Sequence, residues 1–186
     1  MKLLTAILVG GLLAGALDIS YAFIVYGPLS YHLSPVEVLQ SVASGWVGND
    51  VASAGGTVTA LLGLGTHLMI ATVMAAVFVL GARRLTALTR NPVMWGLIYG
   101  LGLYVVMTYV VLPLSAAHRS QHFATDLQEV LARLQVSVGS IRPKNRWLLL
   151  GTLFTHIVLV GLPISLVNKR MAQARASVRR AAMAQG

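Results

Sequence analysis

The sequence predicts an all-α, polytopic membrane protein with four transmembrane helices. Only 10% of its 186 residues are charged and 56% are hydrophobic, whereas soluble domains average about 25% charged residues. Four apolar runs reach the roughly 20 residues that a helix needs to cross the hydrocarbon core. They lie at about 3–26, 57–80, 93–113 and 148–167. The absence of cysteine excludes disulfides, thiolate catalysis, iron–sulfur clusters and cysteine-ligated zinc.

The distribution of Lys and Arg predicts how the spans are oriented. Nine of the 14 basic residues precede span 1, separate spans 2 and 3, or follow span 4, and none separates spans 1 and 2. The positive-inside rule therefore predicts that both termini are cytoplasmic. The segment 114–147 would lie on the outer side, and it weighs against this orientation because it contains the other five basic residues: Arg119, Arg133, Arg142, Lys144 and Arg146.

We expect one four-helix domain over 1–168, followed by a basic cytoplasmic tail over 169–186. The formal net charge of +9 points to anionic lipid and not to nucleic acid, because the basic residues flank the spans. The first residues also resemble a signal peptide cleaved after Ala16. The apolar run resumes after Asp18 and reaches Tyr26, which favours a retained first span.

An internal repeat is predicted from matched motifs in spans 1 and 3. GLLAG contains Gly11 and Gly15, and GLIYG contains Gly96 and Gly100, 85 residues later. The two PLS motifs that end these spans have the same offset. Spans 2 and 4 each carry a Thr-His pair, at 66–67 and 155–156. The chain is thus expected to be two tandem helical hairpins, with the glycine pairs allowing close helix packing.

Two short amphipathic helices are expected outside the spans. SPVEVLQSVASGWV begins with Ser34 as a helix cap, Pro35 in the first turn and Glu37 at the capping-box position. It is predicted to be interfacial or partly re-entrant. A second amphipathic helix is predicted at 122–136 on the outer side, with Thr125 as its cap and Gln128 three residues later.

Three ionisable side chains lie at membrane depth: Asp18, His67 and His156. Counting about 1.5 Å of rise per residue places all three roughly 12–15 Å from the outer ends of their spans. Intramembrane ionisable residues usually face the bundle and mark functional sites. We therefore expect one polar layer, with the alternative that each group merely bonds to a neighbouring Thr, Ser or carbonyl and fixes packing.

Three functions remain open from the sequence. The first is a non-enzymatic accessory or scaffold subunit that packs with itself or with a larger membrane complex. The second is a proton- or ion-linked channel or transporter that uses the polar layer, since imidazole titrates near neutrality. The third is a subunit that binds haem or a metal ion through His67 and His156, with Asp18 completing a metal site.

No CxxCH, HExxH, Walker or GxSxG motif is present, so an enzyme is not favoured. His118 and His122, four residues apart, form a weaker candidate metal pair.

A resemblance supports the architecture. The strings VLQSVASGWVG, LGLGTHLMIA, RNPVMWGLIYGLGLYVVMTYVVLPLS and THIVLVGLPISL resemble uncharacterised small four-span bacterial inner-membrane proteins of a loosely YagU-like kind. The resemblance covers spans 1 to 4, and the segment 119–147 is longer and more charged than is usual for such proteins. It implies a four-helix inner-membrane protein and brings no activity or catalytic residues.

Overall fold

The computed structural model describes residues 2–139 and 146–184, which contain helices and no strand. Four helices are long and apolar enough to cross a membrane. They are span 1 (Leu3–Tyr31), span 2 (Gly56–Arg84), span 3 (Pro92–Leu114) and span 4 (Arg146–Ala174). The predicted all-α polytopic fold is confirmed, and each span extends beyond its predicted bounds. The helix of span 4 continues to Met183, so the basic segment after residue 168 begins as a continuation of the span.

Three of the spans contain a π-helical segment. These segments are Gly27–Tyr31 in span 1, Met107–Val111 in span 3 and Thr155–Gly161 in span 4. Span 2 is α-helical throughout its length. A π-helical turn changes the direction in which the following side chains point, and such turns occur frequently at functional sites. The segments in spans 3 and 4 both border the cavity described below.

Spans 1 and 4 form the middle of the bundle. Span 1 packs against span 2 on one side and span 4 on the other, and span 3 packs against span 4. The buried core is formed by small and apolar side chains from all four spans: Ala14, Ala75, Phe78, Leu103, Val160 and Ile164. We call the end of the bundle that carries residues 32–55 and 115–139 the outer end.

Glycines allow span 1 to approach span 2. A Cβ atom added at Gly11 would collide with the backbone of Thr72, and one added at Gly15 would lie 3.0 Å from a methyl of Leu68. Without hydrophobic association in lipid, close backbone packing of this kind is a main source of helix–helix stability. Gly11 and Gly15 therefore both lie in the contact between spans 1 and 2 of the same chain.

The second glycine pair makes the corresponding contact between spans 3 and 4. A Cβ atom at Gly96 would meet the backbone of Gly161, and one at Gly100 would collide with the backbone at Ile157. Gly161 and Ile157 lie 89 residues after Thr72 and Leu68, the offset that the predicted repeat assigns to spans 2 and 4. The two glycine pairs thus make contacts at corresponding places in the two predicted hairpins.

The linker helix (Pro35–Val47) begins with the predicted capping box. The Ser34 hydroxyl accepts from the Glu37 N–H at 3.3 Å, and the Glu37 carboxylate accepts from the Ser34 N–H at 2.7 Å. The Ser34 N–H and the Ser34 hydroxyl both donate to the Glu37 carboxylate, and these two bonds lower the pKa of the Glu37 carboxyl below its ordinary value. The sequence signature for this helix start is confirmed.

The linker helix packs along the outer half of span 2. The Gln40 amide donates to the Gly56 carbonyl at 3.1 Å, and the Trp46 indole N–H donates to the Thr66 hydroxyl at 2.9 Å. Along span 2, between these bonds, Gly63 faces the backbone of Leu39 so closely that a Cβ atom would collide with its carbonyl. The linker helix therefore contacts span 2 from Gly56 to Thr66.

The second amphipathic helix, here called the surface helix, spans Leu127–Gly139 and not 122–136. The predicted start was wrong because Asp126 is the cap, accepting from the Glu129 N–H at 2.8 Å. Thr125, the predicted cap, instead donates its N–H and hydroxyl to the Glu129 carboxylate. Asp126 at the cap position ends the preceding irregular segment and fixes the first helical residue.

Arg133 holds this outer segment against span 3. Its guanidinium is buried and binds the Glu129 carboxylate, the Pro113 carbonyl at 3.2 Å and the His122 carbonyl at 3.0 Å. The pKa of the Glu129 carboxyl is lowered to about 2, mainly by the hydrogen bond from the Thr125 N–H and next by the hydrogen bond from the Arg133 side chain. Arg133 is therefore a structural cation, which a count of basic residues does not reveal. Arg142 and Lys144, also counted in this segment, lie outside the described residues.

The approach at Gly63 predicts a position-specific sensitivity. Gly63→Ala should displace the linker helix and lower the free energy of unfolding by about 1–3 kcal/mol, the usual range for overpacking. Thermal and chemical unfolding in detergent micelles measures this. The matched control is Gly65→Ala in the same helix, where a Cβ atom meets nothing within 4 Å. An equal response of the two variants would contradict the proposed contact.

Candidate functional site

A cavity of about 610 Å³ lies between the outer halves of spans 2 and 3. Towards the inner end these spans touch: the Tyr99 hydroxyl donates to the Met74 carbonyl at 2.7 Å, and the Phe78 and Tyr99 rings are 5.1 Å apart. Towards the outer end, the linker helix and residues 112–123 line the cavity. The cavity is thus bounded by helix contacts below and by the outer segments above.

Asp18 lies at this cavity, between spans 2 and 4. Its Oδ1 accepts a hydrogen bond from the Thr155 hydroxyl at 2.6 Å, and its Oδ2 lies 3.7 Å from Nε2 of His67. The Asp18 side chain keeps 25% of its surface accessible. One carboxylate oxygen is therefore held by span 4, and the other faces the histidine with no hydrogen bond between them.

His67 is positioned by the backbone of span 1. Its Nε2 lies 3.0 Å from the Gly15 carbonyl, which can only accept, so Nε2 carries the hydrogen. Nδ1 is then the nitrogen at which a second proton binds. Protonation there creates an imidazolium next to the Asp18 carboxylate, whereas neutral His67 leaves that carboxylate with the Thr155 bond. A histidine is accommodated at this depth because it faces polar atoms inside the bundle.

His156 lines the same cavity but is not bonded to Asp18. It belongs to the π-helical segment of span 4, and its Nδ1 donates to the Thr152 carbonyl at 2.9 Å. Its ring meets that of Tyr104 edge-on, with centroids 6.0 Å apart. Of the three residues expected in one layer, Asp18 and His67 are adjacent and His156 shares only the cavity.

No three His, Asp or Glu side chains among residues 2–139 and 146–184 are grouped so that they could share a metal ion. The facial triad of Asp18, His67 and His156 therefore does not assemble in this arrangement. Haem ligation through Nε2 of His67 would break its bond to Gly15. Nε2 of His67 is therefore not available to a haem iron while this contact is kept.

The weaker candidate pair, His118 and His122, does not form a helical metal pair either. Four-residue spacing brings two side chains together only on a helix, and residues 115–126 form turns. Nδ1 of His118 faces the Ser120 hydroxyl, and Nδ1 of His122 faces the Phe123 carbonyl. The four-residue spacing is therefore not helical at this place.

Sequence analysis missed two contributors to the site. Thr155 was recognised only as half of a repeated Thr-His pair, yet it supplies the hydrogen bond to Asp18. Phe123 was assigned to a helical face, whereas its ring lines the cavity at 6.0 Å from the ring of Trp46. The only signal in the sequence that points to Thr155 is its position next to an intramembrane histidine. Nothing in the sequence indicates that Phe123 lines the cavity.

Comparison with known proteins gives no further guide to this site, since no family model, curated protein or solved structure matches the chain. The function is therefore argued from the residues at the cavity.

The Thr155–Asp18 bond predicts an energetic coupling between spans 1 and 4. Thr155→Val should lower the free energy of unfolding by about 1–3 kcal/mol, as expected for a bond to a charged acceptor. In a double-mutant cycle with Asp18→Asn, the two losses should not be additive. The control is Thr72→Val, whose hydroxyl bonds only to the Leu68 carbonyl of its own helix. Additive losses for Thr155 and Asp18 would argue against the contact.

Proposed function

We propose that the protein is a small proton-linked channel or transporter in which Asp18 and His67 bind and release a proton at the intramembrane cavity. The observation that carries this proposal is the position of Asp18. It is the only acidic residue in any of the four spans, it borders the cavity, and its Oδ2 lies 3.7 Å from His67.

The chemistry follows from the cost of charge at this depth. An ionised carboxylate in an apolar setting is unfavourable unless it is paired, hydrogen-bonded or neutralised by a proton. Asp18 has one hydrogen bond, from Thr155, and a histidine that pairs with it only when protonated. Uptake of a proton by either Asp18 or His67 therefore neutralises the carboxylate or completes an ion pair. Release of that proton recharges the site.

The supporting residues have separate roles in this proposal. Thr155 fixes Oδ1 and thereby directs Oδ2 towards His67. The Gly15 carbonyl fixes the tautomer of His67, so that Nδ1 is its proton acceptor. His156, whose Nδ1 is engaged with Thr152, lines the cavity as a second imidazole. These are proton-binding and positioning roles that need no cofactor.

The scaffold role expected from the sequence stays a prediction. Its main support was the pair of glycine faces, and those faces are filled by spans 2 and 4 of the same chain. A partner would therefore have to use another surface. The resemblance to loosely YagU-like proteins is compatible with either function, since it brings no activity.

Infrared spectroscopy on the reconstituted protein tests the proton site. The C=O band of a protonated carboxyl should disappear as the pH is raised, and Asp18→Asn should remove that band while leaving the protein folded. Asp126→Asn is the matched control, because it removes an outer carboxylate and asparagine also caps helices. A wild-type titration that persists unchanged in Asp18→Asn would refute the proton role of this residue.

We further propose a bacterial inner membrane location with both termini cytoplasmic and the cavity in the outer half of the bundle. Arg83, Arg84 and Arg90 at the inner end of span 2 support it, together with the burial of Arg133 at the outer end. Alkaline phosphatase fused after Ser115 should be active, and the same reporter fused after Leu80 should be inactive. The reverse pattern would invert the topology.

A further inference from the structure

The cavity has the size of a site for an organic molecule. Its volume of about 610 Å³ falls within the roughly 300–1,000 Å³ typical of small-molecule pockets. Its walls are mainly apolar side chains from spans 2 and 3, including Ile70, Met107 and Val110. A proton by itself needs no such space. A second, larger species is therefore expected to share the site.

The charges at the cavity indicate the chemistry of that species. Among residues 2–139 and 146–184, Asp18 is the only acidic residue that lines the cavity, and no Lys or Arg lines it. Among the described residues, His67 from span 2 faces Asp18 at 3.7 Å, Tyr26 of the same span interacts with it electrostatically, and His156 from span 4 shares the cavity. An apolar chamber with one carboxylate complements an apolar molecule that carries one positive charge.

Two aromatic rings add to this preference. Trp46 and Phe123 both line the cavity, with ring centroids 6.0 Å apart in an edge-on arrangement. The bond from the Trp46 indole N–H to Thr66 fixes the orientation of the larger ring. Aromatic faces attract cations, and the attraction is stronger where water is excluded. The aromatic pair and Asp18 thus favour the same sign of charge.

We propose that the cavity binds a monovalent, hydrophobic organic cation in exchange for the proton of Asp18. The exchange starts from the state in which the Asp18 carboxyl carries a proton. On binding, its O–H proton leaves to water, and Oδ2 pairs with the cation while Thr155 continues to bond Oδ1. One proton leaves for each cation that enters, and no covalent bond to the cation forms or breaks. This inference rests on the proposed proton-linked function and names its cargo.

Binding of tetraphenylphosphonium to the full-length protein in lipid nanodiscs tests the proposal, because the charge of this probe is independent of pH. By linkage, its affinity should rise with pH, at most about tenfold per pH unit, while Asp18 is still protonated. Asp18→Asn should weaken binding at least tenfold and flatten this pH dependence. Trp46→Phe should weaken binding a few-fold and keep the pH dependence. Asp126→Asn should bind as the wild type does.

The neutral probe triphenylphosphine oxide separates charge recognition from simple apolar filling. It should bind weakly and equally to the wild type and to Asp18→Asn. Equal affinities for the neutral and cationic probes, or unchanged cation binding in Asp18→Asn, would overturn the proposal. A pH dye in weakly buffered solution should report about one proton released per bound cation, as the linkage requires.

The outcomes separate this inference from the function on which it rests. If the infrared band of Asp18 titrates but tetraphenylphosphonium does not bind, the proposed binding of a hydrophobic cation is wrong and the proposed proton site stands. If the cation binds through Asp18 without releasing a proton, the exchange is wrong. If Asp18 neither titrates nor affects cation binding, both proposals fail.

Discussion

The carboxylate of Asp18 imposes the constraint on which the arrangement of the bundle depends. A carboxylate at membrane depth has to be bonded, paired or protonated, and each of these options needs a particular neighbour. Span 4 supplies the Thr155 hydroxyl, and span 2 supplies His67. His67 reaches this place because Gly15 has no side chain, which lets span 2 approach and exposes the carbonyl that binds its Nε2. The glycine contact and the polar site are therefore parts of one arrangement.

The same pattern of contacts explains why a cavity is present. Glycines join spans 1 and 2 closely, and a second pair joins spans 3 and 4, but no such contact joins spans 2 and 3. These two spans meet through Tyr99 near the inner end and separate above it. The linker helix could have filled the space, yet it packs on span 2 through Gly63 and presents only Trp46 and neighbouring side chains to the cavity. The opening is thus a consequence of where close packing is available.

Hydropathy was sufficient to predict the four spans, because the membrane imposes length and apolarity on each helix independently. Depth counting also placed Asp18 and His67 at the same level, since a helix rises by a constant step. It could not show which atoms meet. The Thr155 hydroxyl bonds to Asp18 across 137 residues of chain, and the sequence carries no local signal for this contact. The cap of the surface helix was misassigned because two capping residues, Thr125 and Asp126, are adjacent and Glu129 bonds to both of them.

The two predicted hairpins use corresponding positions for different purposes. Under the 85-residue offset Asp18 corresponds to Leu103, which lies in the apolar core. Under the 89-residue offset Thr155 corresponds to Thr66, which accepts the Trp46 indole N–H where Thr155 donates to Asp18. A threonine hydroxyl serves both purposes because it is donor and acceptor at once. The site is therefore one-sided with respect to the two predicted hairpins: the first carries the Asp18 carboxylate and His67, and the second supplies the Thr155 hydroxyl that bonds to the carboxylate.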